Sequence, residues 1–195
     1  MKLFYLEVFA FISGIVNIYL LTRCSLWNWF FGVITVSLYA IIFFNTKLYA
    51  DMSLQGIFLF FQFYGLYQWC YGTHEKQLIG IQVINYSTCL SLILTTVILF
   101  VGISFFLRHN SDSTTVYADA TITALSLIAQ WMMSKKYLHH WILWIIIDVF
   151  SIGLYINKTL YLTALLYFVF MLLCIKGFFE WKGTLSKSIW SQSIA

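Results

Sequence analysis

The chain has 195 residues, of which 62% are hydrophobic and only 9% charged, and it contains no proline. With a mean hydropathy of +0.86 this composition excludes a soluble domain and points to an integral membrane protein. The formal charge of +4 comes from eleven Lys and Arg scattered singly between apolar runs, the pattern of membrane-side anchors rather than of a nucleic-acid surface.

About 20 apolar residues span a hydrocarbon core, and seven such windows follow one another: 4–22, 26–45, 49–71, 87–107, 117–134, 139–157 and 159–181. The first could pass for a signal peptide, but it carries Glu7 and lacks a small-residue cleavage site, so it is read as a membrane helix. Charge or turn residues cluster at each break, around Arg23–Ser25, Asn45–Lys47, Gly72–Gln77, Arg108–Ser113, Lys135–Lys136 and Asn157–Lys158. The loops are too short to fold by themselves, and a short polar tail follows Trp181.

Sliding the chain on itself by 112 residues lays the first three helices over the last three without a gap. Trp29 then meets Trp141, Asn45 meets Asn157, Gly65 meets Gly177 and Trp69 meets Trp181, with Glu7 opposite Asp119 and Arg23 opposite Lys135. Two three-helix units can share one orientation only if a single helix returns the chain between them, and the window at 87–107 does so. The expected fold is therefore an all-α membrane protein, seven transmembrane helices in a 3+1+3 arrangement with two parallel three-helix repeats. Its parts are residues 1–72, a linking helix with its loops at 73–113, a second repeat at 114–182 and a cytoplasmic tail at 183–195. Repeats of this kind place substrate at their interface, near the membrane midplane.

Lys2, Lys47, Arg108 and Lys158 fall on one side. Arg23, Lys76, Lys135, Lys136, Lys176, Lys182 and Lys187 fall on the other. The richer side is expected to be cytoplasmic, which puts the N-terminus outside and the C-terminus inside a bacterial inner membrane.

Asp148 is the most expensive residue in this layout, since a carboxylate near the middle of a membrane helix costs on the order of 3 kcal/mol on insertion scales and marks a functional candidate. Trp141, Trp144 and Asp148 stand at i, i+3 and i+7, on one helix face. Trp144, one turn from Asp148, could hold an aromatic cation by stacking, cation–π attraction and charge neutralisation. The fifth helix carries a polar stripe of Asp119, Thr123, Ser126 and Gln130, and the third carries Gln55 and Gln62 on one face, opposite Tyr167 and Cys174 of the seventh after the 112-residue shift. For the stripe, interhelical hydrogen bonding is the competing reading.

Trp27, Trp29, Trp69, Trp141 and Trp181 lie near helix ends, where the first expectation is an interfacial belt. Gly14, Gly32, Gly65, Gly153 and Gly177 are expected to permit close helix packing, with rigid-body rocking of the halves in place of proline hinges. Cys24, Cys70, Cys89 and Cys174 have no metal-ligand spacing and read as buried small residues. His139 and His140, beside Lys135 and Lys136, read as a wet boundary rather than a metal site, and no enzyme, nucleotide or cofactor motif is present.

LYADMSLQ and YGLYQW in the third helix, TALSLIAQ in the fifth, and HWILWIIIDV and LYLTALLY in the last two resemble the PnuC-type vitamin transporters over nearly the whole chain. The resemblance implies a seven-helix core related to the SWEET sugar transporters and import of nicotinamide riboside by facilitated diffusion, with trapping by cytoplasmic phosphorylation. Thiamine is the alternative, and a membrane protein without transport a further one. It maps the family's WxxWxxxN stretch onto Trp141, Trp144 and Asp148, its third-helix glutamine onto Gln55, and its YGWYxW onto residues 64–69, which adds Tyr64. Asp148 stands where riboside carriers usually have Asn, and Leu66 where a Trp is common. The substrate-binding set implied is Trp141, Trp144, Asp148, Gln55, Gln62, Tyr64, Ser126, Gln130 and Tyr167. The partners implied are a small-molecule vitamin, the lipid bilayer, a cytoplasmic kinase acting after transport and, as an open option, a further copy of the chain.

Overall fold

The computed structural model describes residues 2–45, 49–74, 77–78, 80–110, 115–157 and 161–194. Seven α-helices account for most of them: α1 (Lys2–Thr22), α2 (Trp27–Asn45), α3 (Tyr49–Tyr71), α4 (Tyr86–Asn110), α5 (Val116–Ser134), α6 (His140–Asn157) and α7 (Tyr161–Ile194). They follow the seven apolar windows closely, because in this composition hydropathy and helical backbone satisfaction demand the same segments. Lys47, Lys76 and Lys158, which enter the charge count, and the breaks at 46–48, 111–114 and 158–160 lie outside the described residues.

Two local features depart from expectation. The break after α3 holds a small antiparallel hairpin, β1 (Thr73–His74) with β2 (Gln77–Leu78). The polar stretch after Trp181 continues α7 to Ile194; Thr184 bonds back to the Glu180 carbonyl at 3.0 Å. Gly183 does not stop the helix, no proline follows it, and hydropathy alone does not register a polar helix.

The architecture is 3+1+3. α1, α2 and α3 pack as one group and α5, α6 and α7 as another; the groups meet where α1 lies on α7 and α3 on α5, and α4 leans on α5 alone among the helices. Most of the α4 surface is exposed and apolar, as suits a helix facing lipid. Its start is tethered by Gln82, whose N–H donates to the Lys136 carbonyl (2.9 Å) while its own carbonyl accepts from Leu138 (2.8 Å). Within the described residues, α1, α2, α4 and α7 contain stretches long and apolar enough to cross a membrane. α3 and α5 are less apolar because they carry the glutamines and the polar stripe that face inward. α6 supplies a shorter apolar run. Hydroxyls inside the helices bond back one turn, Thr35 to Phe31 and Thr96 to Leu92, which removes their cost in lipid.

The 112-residue register reappears in backbone geometry. α1 and α5 both end in a Schellman turn with a non-glycine residue at positive φ, Cys24 (51°) and Lys136 (56°). Ser25 donates to Leu20 and Cys24 to Leu21, all at 3.0 Å; Tyr137 donates to Met132 and Lys136 to Met133, also at 3.0 Å. Each bond of the first set becomes one of the second on adding 112.

Side chains repeat it too. The outer edge of the Trp29 indole of α2 abuts Gly65 of α3, where any added Cβ would enter the ring; Trp141 of α6 does the same at Gly177 of α7. Trp29 meets Trp69 edge-on at 5.3 Å and 87°, and Trp141 meets Trp181 at 5.6 Å and 89°. These four tryptophans are at most 2% exposed, which overturns the expectation of an interfacial belt for them; Trp27, 65% exposed, fits it. For Trp29 and Trp141 the reason is the glycine facing the indole, which lets the ring enter the seam between helices, and Trp69 and Trp181 are covered by packing edge-on against them. The glycine expectation also needs correction. Gly153 faces nothing within 4 Å, and a Cβ at Gly14 would meet its neighbours at an ordinary 3.5 Å.

Candidate functional site

A cavity of about 230 Å³ lies between the two groups of helices, above the tryptophan layer. It is walled by register pairs from the two halves: Ile18 and Gln130, Gly32 and Trp144, Val36 and Asp148, Gln55 and Tyr167, Phe58 and Phe170, Gln62 and Cys174. The helices that pack alike thus present unlike groups. The amides Gln55, Gln62 and Gln130 come from α3 and α5, and the carboxyl of Asp148 from the strongly apolar α6.

Asp148 is 3% exposed and lines this cavity. The Cys174 thiol hydrogen-bonds its carboxylate, while Oδ2 is buried with no hydrogen-bond partner. Gln130 Nε2, Gln62 Oε1 and Trp141 Nε1, all on lining residues, are likewise buried and unpartnered. Buried polar atoms without partners cost about 1–3 kcal/mol each, so two acceptors and two donors left this way around one space define a site for a polar ligand. Trp144, half-buried one turn from Asp148, adds an aromatic face.

Gln62 reaches the cavity because position 32 has no side chain. Its carboxamide fills the space a Cβ at Gly32 would take, with Asn17 on the other side. Asn17 in turn donates to the Asn28 carbonyl, and Ser13 and Thr35 close a small polar clasp between α1 and α2, with a 3.0 Å bond between hydroxyls. At the register position of Gly32 the second half has Trp144, and opposite it the small Cys174 in place of Gln62. Bulk is exchanged across each half, and the cavity becomes aromatic and acidic on one side, amide-lined on the other.

All but two of the side chains expected in the binding set line this cavity; the structure does not bring Tyr64 and Ser126 there. Tyr64 follows Gln62 by two residues, about 200° around the helix. Its ring stacks on Phe60 at 6.2 Å and lies under the Lys135 ammonium at 5.4 Å. Ser126 is buried one turn before Gln130 among packed helices, and its register partner Gly14 stands in the lining instead. Asp119 accepts from the Thr115 hydroxyl at 2.9 Å at the start of α5, away from the cavity. Asn17, Thr35 and Tyr39 also line the site and were missed; Thr35 and Tyr39 stand one turn apart on α2 and Asn17 one turn after Ser13 on α1, a spacing their register partners Ala129, Ile147 and Ser151 do not repeat.

His140 is fully buried, not part of a wet boundary. It donates Nδ1–H to the Tyr137 carbonyl at 2.7 Å and packs against Trp141 and Trp181 with centroids at 4.5 and 4.9 Å. At the same end Lys136 holds its ammonium 4.5 Å over the Trp69 ring, and burial pushes that ammonium below its usual pKa. Cys89 is exposed and Cys24 and Cys70 half-buried, so of the four cysteines Cys174 alone is a buried small residue as expected.

A bundle of membrane helices in two matched groups, with a polar-lined cavity on the seam between them, is the build of a repeat-based transporter. The model of the family described as nicotinamide mononucleotide transporter matches residues 4–183. The chain belongs to that family, whose members are transporters and not enzymes. It is 24% identical to the nicotinamide riboside transporter PnuC of Escherichia coli (strain K12), over 91% of this chain and 84% of that one. To the protein of the same name from Neisseria mucosa it is 26% identical, over 88% and 70%. A solved structure titled the crystal structure of the vitamin B3 transporter PnuC shares the fold, with TM-score 0.75 at 23% identity, over 94% of this chain and 83% of that one.

Proposed function

We propose that the protein imports nicotinamide riboside by facilitated diffusion, the vitamin being trapped by phosphorylation in the cytoplasm. Residues 1–72 and 114–182 act as the two moving halves, joined by 73–113, with residues 183–195 as a cytoplasmic extension. The N-terminus is outside. The observation that carries this reading is the buried Asp148 carboxylate with one oxygen unpartnered in the cavity, a turn from Trp144. The pyridinium of the riboside is a planar cation, and both groups favour it. Its carboxamide can donate to Gln62 and accept from Gln130. Trp141 and Tyr167 complete the aromatic wall, and Gln55 faces the ribose.

The dephosphorylated vitamin suits the site better than its mononucleotide. No Lys or Arg is among the residues lining the cavity, and a phosphate would meet Asp148 unneutralised. Thiamine is the second reading, favoured by the carboxylate itself: the thiazolium is also cationic, and its aminopyrimidine offers donors to Asp148 and Gln62.

Titrating purified protein with each vitamin while following tryptophan fluorescence separates them. The expected outcome is submicromolar affinity for the riboside and little response to thiamine or the mononucleotide; tight thiamine binding with a silent riboside would reverse the assignment. Liposomes holding a trapping kinase test transport as such, and absence of protein-dependent accumulation of any labelled vitamin would reject it.

A further inference from the structure

Two hydrogen bonds join the halves at one end of the cavity. Trp69 of α3 donates Nε1–H to the Met133 carbonyl of α5 at 3.3 Å, and Trp181 of α7 donates to the Leu21 carbonyl of α1 at 3.1 Å. Adding 112 turns the second acceptor and the first donor into the first acceptor and the second donor. Leu21 and Met133 also line the cavity, so the bonds lie in its wall. Between them the Trp69 and Trp181 rings meet across the seam at 6.0 Å.

The acceptors belong to the last turns of α1 and α5, where carbonyls carry the negative end of the helix dipole. Each carbonyl is also bonded by a turn N–H, from Cys24 or from Lys136, at 3.0 Å. If an indole leaves, its carbonyl keeps one partner and the helix end stays intact. Such a bond can break and reform without unravelling what it joins. The chain has no proline on which to bend a helix, which favours an opening movement that parts the halves along this seam.

We propose that Trp69 and Trp181 are the gate at this end of the cavity. Their paired bonds hold the halves together in the closed state described here, and both release when the cavity opens toward the turns at Arg23–Ser25 and Lys135–Tyr137. The assignment rests on the transport reading, because a protein that moved nothing would have no need to part.

Cys174, buried in the cavity wall, serves as a native reporter. With Cys24, Cys70 and Cys89 replaced by serine, a small cationic methanethiosulfonate is applied to each face of the membrane, in cells and in inverted vesicles. Phenylalanine keeps the ring and removes the donor. Trp69→Phe and Trp181→Phe are each expected to speed Cys174 modification about fivefold, the equivalent of one net hydrogen bond. The two should act alike, and only from the face that also labels a thiol placed at Arg23. Trp27→Phe, at the same end but exposed, should change nothing. Unchanged rates in both single variants, or equal gains from both faces, would overturn the gate. Uptake by the parent protein is measured separately, so a parent that carries vitamin while its variants label at the parental rate loses the gate and keeps the transport reading. Should one variant fail to fold, the other carries the same test.

Discussion

The two three-helix groups agree at one end of the molecule and disagree in its middle. Near the turns at Cys24 and Lys136 they match bond for bond, down to the same Schellman geometry, the same indole against the same glycine, and mirrored tryptophan donors. Around the cavity Gly32 faces Trp144 in register, Val36 faces Asp148, and Gln62 faces Cys174. Packing between two halves gains from symmetry, since one arrangement then serves both sides of the seam. The ligand proposed above, with a charged ring at one end and a sugar at the other, has no symmetry to match, and divergence of the cavity-lining groups suits it.

The comparison is tested hardest at Asp148. Asp148→Asn is expected to weaken binding of a cationic vitamin about 100-fold, as when one partner of a buried charge pair is lost, with the melting temperature preserved. Moving the carboxylate to the other half, Val36→Asp with Asp148→Val, should not restore affinity, because Trp144 would then have no acidic neighbour. Fluorescence titration reads both, and an unchanged affinity in Asp148→Asn would make the carboxylate structural.

Next come the glycines of the matched end. Gly65→Ala and Gly177→Ala should each destabilise the protein by about 1–3 kcal/mol through overpacking against a buried indole, and by similar amounts, as thermal unfolding in detergent would register. Gly153→Ala, with no neighbour within 4 Å, serves as the control and should not lower the melting temperature. A large loss at one of the matched glycines without the other would break the equivalence.

Gly32→Ala probes the unmatched middle. The neighbour there is the far end of a flexible side chain, so Gln62 can swing aside; affinity should fall about tenfold at a cost in stability below about 1 kcal/mol. The smallest effect is expected at Cys174. Serine keeps a donor to Asp148 and should leave affinity within about twofold of the parent, whereas alanine frees the carboxylate to rotate and should weaken binding about threefold. Both are read by the same titration.

Much of this was legible in the chain because membrane helices report themselves by hydropathy, and because duplicated packing preserves large landmarks. The WILWIIID stretch announced its cavity through the cost of one carboxylate. What the residues did not reveal has identifiable causes. A tryptophan near a helix end reads as an interfacial anchor whether it faces headgroups or a seam; the glycine set 36 residues further on, at 65 for Trp29 and at 177 for Trp141, marks two of the buried four, and Trp69 and Trp181 carry no such mark. Tyr64 entered through a motif without regard to its angle on the helix. Asn17 and Thr35 escaped because a two-residue stripe, Ser13 with Asn17 or Thr35 with Tyr39, is too short to stand out in an apolar run, and the continuation of α7 escaped because a polar helix looks like a tail.

The tryptophan layer is also an optical device. Trp29, Trp69, Trp181 and Trp141 form a chain of indoles with successive centroids 5.3, 6.0 and 5.6 Å apart, close enough for their strong far-ultraviolet transition dipoles to couple into an exciton band in circular dichroism. The two outer links lie within the halves and survive any rigid movement of them. The middle link does not, so parting of the halves would extinguish one coupling out of three and leave a spectral record in a protein carrying no label.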